Sequence, residues 1–168
     1  MNLETKIAGL RLYLDSTYEN VASNFCNLKG SSADVLNKKT HDKFLLANWY
    51  EGYLYSSLLG IKINERIERS GKAVDKAPKW SHSYIDQLKY SFSLLLTLKD
   101  VQHELKLDSR KNILESGVTS DIIIEDLKKI CDEYCWGGLN YLKELYKNDD
   151  DVFSDYMALR NIYEDAGK

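Results

Sequence analysis

Residues 3–28, LETKIAGLRLYLDSTYENVASNFCNL, carry the strongest periodic pattern in this chain. Apolar side chains recur there at spacings of three or four positions, at Leu3, Ile7, Leu10, Leu14, Tyr18, Val21, Phe25 and Leu28. Such spacing places these side chains on one face of an α-helix. The pattern therefore predicts one long helix that ends before Gly30, because glycine commonly follows the last turn of a helix.

Further periodic segments predict five or six more helices. Gly52 and Gly60 lie inside the first of these segments and favour the close approach of another helix, with a kink as the alternative. Gly137 and Gly138 are expected to break the chain between two of the later helices, because glycine is unfavourable inside a helix. The predicted ranges are 40–67, 81–105, 108–116, 119–136, 139–146 and 151–165.

Length and composition predict an all-α fold, a single-domain bundle of six or seven helices over residues 1–168. A chain of 168 residues suits one hydrophobic core, and its 19 aromatic residues exclude a disordered protein. The one proline, Pro78, lies in the loop expected at residues 70–79, so long helices are unhindered elsewhere. No apolar run approaches the roughly 20 residues of a transmembrane helix, and no signal-peptide pattern is visible. Three cysteines suit a reducing cytoplasm.

The formal net charge of −3 divides unevenly along the chain. Residues 1–114 contain 17 Lys/Arg against 13 Asp/Glu, or +4, whereas residues 115–168 contain 6 against 13, or −7. An acidic end of this kind is either a solvated face or a surface that attracts a basic partner by electrostatic steering. The net charge of −3 argues against general nucleic-acid binding, where a basic face is expected. The candidate binding carboxylates are Asp132, Glu133, Asp149, Asp150, Asp151 and Asp155.

The residues typical of catalytic and metal sites form no recognisable motif. Cys131 and Cys135 lie four positions apart, but structural zinc normally needs four ligands, so we interpret both as buried small side chains. His41, His82 and His103 stand among polar residues, which favours surface positions over a catalytic triad. The chain has no phosphate-binding glycine loop and no Glu-x-x-His motif for a dimetal site. We therefore expect no catalytic residue, no metal and no cofactor.

One enzyme class stays open as the alternative. HEPN ribonucleases are small helical proteins that cleave RNA with an Arg-x(4–6)-His motif. None of the five arginines here is followed by a histidine at that distance, so an active site of that type is not expected. An HEPN-like RNA-processing or phage-defence protein that uses His82 or His103 is the alternative to a binding function.

Tyrosine is unusually frequent, with 12 residues in the chain. Trp49, Tyr50, Tyr53 and Tyr55 crowd about two turns of the second predicted helix, so they cannot all face one core. Tyrosine is favoured where one end stays in water, at the margins of a core and at protein interfaces. Tyr50 and Tyr55 are therefore further candidates for a binding surface.

Two segments share their order and spacing with a known family. The first is WYEGY at residues 49–53, and the second runs from YIDQL at 84–88 through FSLLL at 92–96 to Asp100. An aromatic-glycine helix, followed by an apolar Ser-Leu-rich helix that ends in an acidic residue, resembles the PoNi-type immunity proteins of bacterial polymorphic-toxin and contact-dependent inhibition systems. The resemblance spans residues 45–105 and supplies no binding residues to carry over.

The resemblance implies a cytoplasmic, non-enzymatic protein that binds and neutralises one cognate protein toxin, often a nuclease. Nucleic acid and membrane are not expected as partners. The candidate carboxylates and tyrosines would then form the surface that docks onto a basic toxin. A self-associating homodimer is the third interpretation that the residues leave open.

Overall fold

The residues described by this computed structural model, 3–30, 44–77, 79–107 and 121–168, are mostly helical, as the sequence predicts. They also contain two strands, β1 (Leu12–Asp15) and β2 (Ala73–Ala77), and two short 3-10 turns, Ser16–Tyr18 and His82–Tyr84. The seven described helices are α1 (Leu3–Ala8), α2 (Glu19–Phe25), α3 (Trp49–Ile63), α4 (Ile85–Leu95), α5 (Lys99–Glu104), α6 (Asp121–Asn148) and α7 (Ala158–Asp165).

The single long helix predicted over residues 3–28 is wrong, because the chain leaves helical geometry between α1 and α2. Leu12 and Leu14 are both buried, while Tyr13 between them is partly exposed. That alternation is the period-two pattern of a strand. The helical stripe accounts for Leu14 but leaves Leu12 outside it, so the burial of Leu12 is the feature that only a strand explains.

β1 pairs antiparallel with β2, although the sequence pattern predicts a loop over residues 70–79 and no strand anywhere. In the register, Leu12 lies opposite Ala77 and Asp15 lies opposite Ala73. An irregularity interrupts this register between Leu12 and Tyr13. The all-α assignment is therefore corrected: helices dominate, and a two-stranded sheet joins the start of the chain to its middle.

Asp15 fastens the end of β1 to the segment that leads into β2. It is fully buried, and its carboxylate accepts hydrogen bonds from the backbone N–H groups of Thr17 at 2.9 Å, Ser70 at 3.0 Å and Gly71 at 3.1 Å. Burial raises the pKa of this carboxyl, but the donated hydrogen bonds outweigh that effect and hold the pKa below its usual value. A Cβ at Gly71 would lie less than 3.0 Å from the Asp15 carboxylate, so a larger residue there would displace that carboxylate.

Glycines bring the backbones of α3 and α6 into direct contact. A Cβ at Gly60 would lie less than 3.0 Å from the carbonyl oxygen of Tyr134, which confirms that Gly60 admits a neighbouring helix. The predicted break at Gly137 and Gly138 is wrong, because α6 continues through both residues. Each glycine costs about 1 kcal/mol against alanine in a helix, and dispersion between two closely packed helices offsets that cost.

The boundaries of α3 differ from the prediction at both ends. α3 begins at Trp49, where the Asn48 side chain accepts the N–H of Glu51 at 3.1 Å and acts as the N-cap. The predicted start at residue 40 or 41 lies outside the described residues. The helix ends at Ile63 because Asn64 adopts left-handed geometry with a φ of 53°, a typical helix stop.

The helices predicted over 81–105 and 151–165 are confirmed in position but not in length. The range 81–105 divides into the 3-10 turn, α4 and α5, since residues 96–98 leave helical geometry. The last helix begins at Ala158 and not at residue 151. The helix predicted over 108–116 and the caps expected at residues 119 and 120 lie outside the described residues.

One hydrophobic cluster receives buried side chains from β1 and from all seven described helices. Its largest fully buried members include Trp80, Tyr53 and Tyr134. Tyr53 lies on α3 and Tyr134 on α6, so the aromatic centre of this cluster coincides with the close crossing of those two helices. None of the described helices has both the length and the apolar character that crossing a membrane requires.

Candidate binding surface and a charged cleft

Four of the candidate carboxylates lie together in the acidic loop, which we define as residues 149–157 between α6 and α7. Asp149, Asp150, Asp151 and Asp155 are all exposed. The carboxylate oxygens of the first three lie within 4.8 Å of one another. None of the four forms an ion pair with any cation in the described parts of the chain. The acidic loop therefore concentrates negative charge that no side chain in the described ranges neutralises.

Phe153 anchors the acidic loop to the core. Its ring is buried and packs against Tyr146 of α6, with the ring centroids 5.9 Å apart, and against Phe25 of α2, with the centroids 5.2 Å apart. Contacts between aromatic rings at these distances stabilise beyond the burial of their area. The acidic loop is thus attached at its middle to two helices, while the charged residues on either side of Phe153 point into solvent.

Hydrogen bonds within the acidic loop fix its backbone. The carboxylate of Asp149 accepts the N–H of Asp151 at 3.0 Å, and the carboxylate of Asp155 accepts the N–H of Met157 at 2.7 Å. Aspartate side chains that bond to the backbone two residues onward define tight turns. These turns and the packing of Phe153 together support the backbone of the acidic loop at three points.

Tyr156 is the most exposed large hydrophobic residue described, with 86% of its surface accessible. It stands beside Asp155 in the acidic loop. The sequence pattern misses it, because a helix over residues 151–165 would place Tyr156 on the inner face with Val152 and Leu159. The Ser154-Asp155 pair, which is typical of a turn, was the available signal that the helix begins later.

Asp132 lies in a different place, on the first half of α6. It is 17 positions before Asp149, or about 25 Å along a helix. Its Oδ1 accepts the phenol O–H of Tyr53 at 2.5 Å and the ammonium of the buried Lys128. Burial, followed by the charge of Asp132, raises the pKa of Tyr53 well above its usual value, so the phenol remains a donor. Asp132 is therefore engaged inside the protein.

Glu133, the neighbour of Asp132, is also held by an internal cation. Arg66 donates from Nε to Glu133 at 2.9 Å and from Nη1 to Glu104 at 2.6 Å. Hydrogen bonding from Arg66 lowers the pKa of Glu104 against the opposing effect of burial. The ring of Tyr134 lies beneath the guanidinium, with 5.6 Å between the ring centroid and Cζ. Glu133 thus belongs to an ion-pair network and not to the acidic loop.

Asp132 and Glu133 line a cleft of about 370 Å³, which we call the charged cleft. It lies between α6, β1 and the extended segment that follows α3. Its basic members, Arg69 and Lys129, are exposed, and Glu68 is a third acidic member. The aromatic members are Tyr13 and Trp136.

Tyr50 and Tyr55 are partly buried on α3, and both hydroxyl groups bond to backbone oxygens. Tyr50 donates to Lys79 at 3.1 Å and stacks on Tyr84 with ring centroids 5.1 Å apart. Tyr55 donates to Leu159 of α7 at 2.7 Å. Burial raises the pKa of both phenols. The structure therefore places the polar ends of these tyrosines against other parts of the fold.

The cysteines and histidines lie where the sequence predicts, as far as they are described. Cys131 and Cys135 are completely buried, and burial raises the pKa of both thiols. His82 and His103 are exposed and line neither the charged cleft nor the acidic loop, whereas His41 lies outside the described residues. No protein-family model, no curated protein and no solved structure matches this chain.

Proposed function

We propose that this chain is a cytoplasmic immunity protein, which binds a cognate bacterial toxin with a basic surface and neutralises it. A nuclease is the class of toxin that would carry such a surface, because it binds phosphates. The observation that supports the proposal best is the acidic loop, where four exposed aspartates lack a cationic partner among the described residues. The resemblance of residues 45–105 to PoNi-type immunity proteins points in the same direction.

The acidic loop suits this role because its charges and the side chain of Tyr156 act at different stages of toxin binding. Uncompensated charge accelerates the encounter with a basic surface by electrostatic steering, and salt screens this effect. Tyr156 then supplies the large, stiff side chain that commonly forms the energetic centre of an interface. Phe153 keeps both in place before the toxin arrives.

The experiment pairs the chain with the toxin encoded beside its gene and measures association by stopped-flow at several salt concentrations. The test variant carries Asp149→Asn, Asp150→Asn and Asp151→Asn. We expect association at low salt to slow by about tenfold and to lose most of its salt dependence. Growth protection in cells that express the toxin should weaken in parallel.

A control variant of equal charge change carries Asp86→Asn, Glu125→Gln and Asp126→Asn, all exposed and outside the acidic loop. It should associate like the unmodified chain. Equal rates and equal salt dependence for the unmodified chain and the Asp149–Asp151 variant would contradict the role of the acidic loop. RNA cleavage by the purified chain that disappears with His82→Ala or His103→Ala would overturn the immunity function in favour of the HEPN-like alternative.

A further inference from the structure

The charged cleft has walls that are fixed independently of any ligand. The extended segment after α3 docks onto α6 through the N–H of Ile67, which donates to the carbonyl of Glu133 at 3.0 Å. The amide of Asn140 donates to the Glu65 side chain at 3.1 Å, and Gly137 lets the Glu65 backbone approach α6 closely. Because these contacts fix the segment to α6, the cleft is pre-formed, as small-molecule sites usually are.

The floor of the charged cleft presents hydrogen-bond acceptors that internal cations partly neutralise, since Lys128 pairs with Asp132 and Arg66 is shared between Glu133 and Glu104. Lys128 and Tyr53 bond to Oδ1 of Asp132, and Arg66 bonds to Oε2 of Glu133. No donor among the described residues contacts the second oxygen of either carboxylate. These two oxygens are therefore available to N–H donors of a ligand, and the internal cations reduce the repulsion that a nearby anionic group would meet.

The rim of the charged cleft presents cationic hydrogen-bond donors. Arg69 and Lys129 are exposed and form no ion pair or hydrogen bond within the described ranges. Both can donate to an oxyanion, and Arg69 can do so with two parallel hydrogen bonds. Among the described lining residues the rim also carries the exposed carboxylate of Glu68, so the rim groups without an ion pair sum to one positive charge.

From this arrangement we infer that the charged cleft binds a small zwitterion of the amino-acid class. Its ammonium group donates to the free oxygens of Asp132 and Glu133, and its carboxylate accepts from Arg69 and Lys129. The volume of about 370 Å³ lies at the lower end of the range for ligand sites, which favours a molecule of this size. Trp136 and Tyr13 would bound the carbon chain between the two charged ends.

The test is an NMR titration of the full chain with zwitterions of increasing length, namely β-alanine, 4-aminobutyrate and 6-aminohexanoate. Butylamine and butyrate serve as ligands that carry only one of the two charged ends. The signals followed are the indole N–H of Trp136 and the backbone amide of Arg69. We expect saturable shifts with at least one zwitterion, and an affinity about tenfold above that of either singly charged ligand.

Arg69→Gln and Lys129→Gln should each weaken this binding several-fold, because each removes one donor to the ligand carboxylate. Both side chains are exposed and unpaired among the described residues, so these variants should fold normally. Lys147→Gln, which removes an exposed cation farther along α6, is the matched control and should leave binding unchanged.

Shifts that stay linear for every zwitterion, or that are equal for zwitterions and singly charged ligands, would overturn the inference. Unchanged affinity in the Arg69→Gln and Lys129→Gln double variant would do so as well. The titration contains no toxin and leaves the acidic loop intact, so its result is independent of the proposed immunity function.

Discussion

The backbone oxygen of Ser56 on α3 occupies the space that a Cβ on Gly138 of α6 would need, with less than 3.0 Å between the two positions. The same holds for Gly60 against the carbonyl of Tyr134. Two glycines on two helices therefore set the distance between α3 and α6, the pair that contains the aromatic centre of the core. Glycine usually destabilises a helix, but here the missing side chain permits the contact between the helices and so stabilises the fold.

Gly138→Ala should therefore destabilise the protein by about 1–3 kcal/mol, the usual cost of overpacking, although alanine is the better helix former. The measurement is urea unfolding followed by circular dichroism. Gly9→Ala is the control, because a Cβ there meets only the neighbouring carbonyls at 3.4 and 3.6 Å. A gain in stability for Gly138→Ala would show that the helices can separate without loss.

Asp15→Asn should cost about 1–3 kcal/mol at neutral pH, because the three backbone N–H groups lose a charged acceptor in a buried place. The folded pKa of Asp15 is lowered, so its contribution is fully present above the unfolded pKa of about 3.9 and is lost as pH falls through the folded value. Unfolding free energies measured from pH 7 down to 2 should therefore decline less steeply in the variant. Asp86→Asn, at an exposed position, should reproduce the unmodified profile.

Phe153→Ala should lower stability by about 3–5 kcal/mol, because it removes a buried ring that contacts Tyr146 and Phe25. It should also speed hydrogen exchange of the Ser154 amide, which donates to the Asp151 carbonyl at 2.9 Å in the acidic loop. Tyr156→Ala removes a neighbouring ring that is 86% exposed and should change stability by less than about 0.5 kcal/mol. Equal effects of the two substitutions would contradict the anchoring role of Phe153.

Arg66→Met should raise the pKa of Glu104 towards its ordinary value of about 4.3, because the hydrogen bonds from Arg66 are the main cause of its lowering. Side-chain carboxyl titration by carbon-13 NMR measures this shift directly. Lys76→Met breaks the separate pair with Glu19 and should leave Glu104 unchanged. An unaltered Glu104 titration in Arg66→Met would show that the ion pair does not persist in solution.

The helical part of the fold could be predicted because its signals are local. Phe92 and Leu95 on α4, and Leu127 and Ile130 on α6, recur at helical spacing and are all buried. The strands could not be predicted, because β1 has only four residues and one of its buried residues, Leu14, also fits the helical stripe. Its true partner is distant in sequence, and a single sequence carries no sign of that pairing.

The candidate site was likewise predictable only where its signal is local in sequence. Acidic composition was sufficient to find Asp149, Asp150 and Asp151 on the surface, because three consecutive charges are rarely buried. Composition could not separate them from Asp132 and Glu133, whose internal cations are brought by the fold. The charged cleft was likewise beyond prediction, since its walls come from three segments that meet only in the folded chain.

The pairing of Leu12 with Ala77 also governs how the chain reaches its native state. A helical protein folds quickly when its contacts are local, whereas this pair closes a loop of 65 positions, and the entropy of that closure must be lost before the sheet forms. Stopped-flow refolding should accordingly be slower than is typical of helical bundles and closer to that of mixed α/β domains. Two strands that together have only nine residues therefore limit the folding rate of a mostly helical protein.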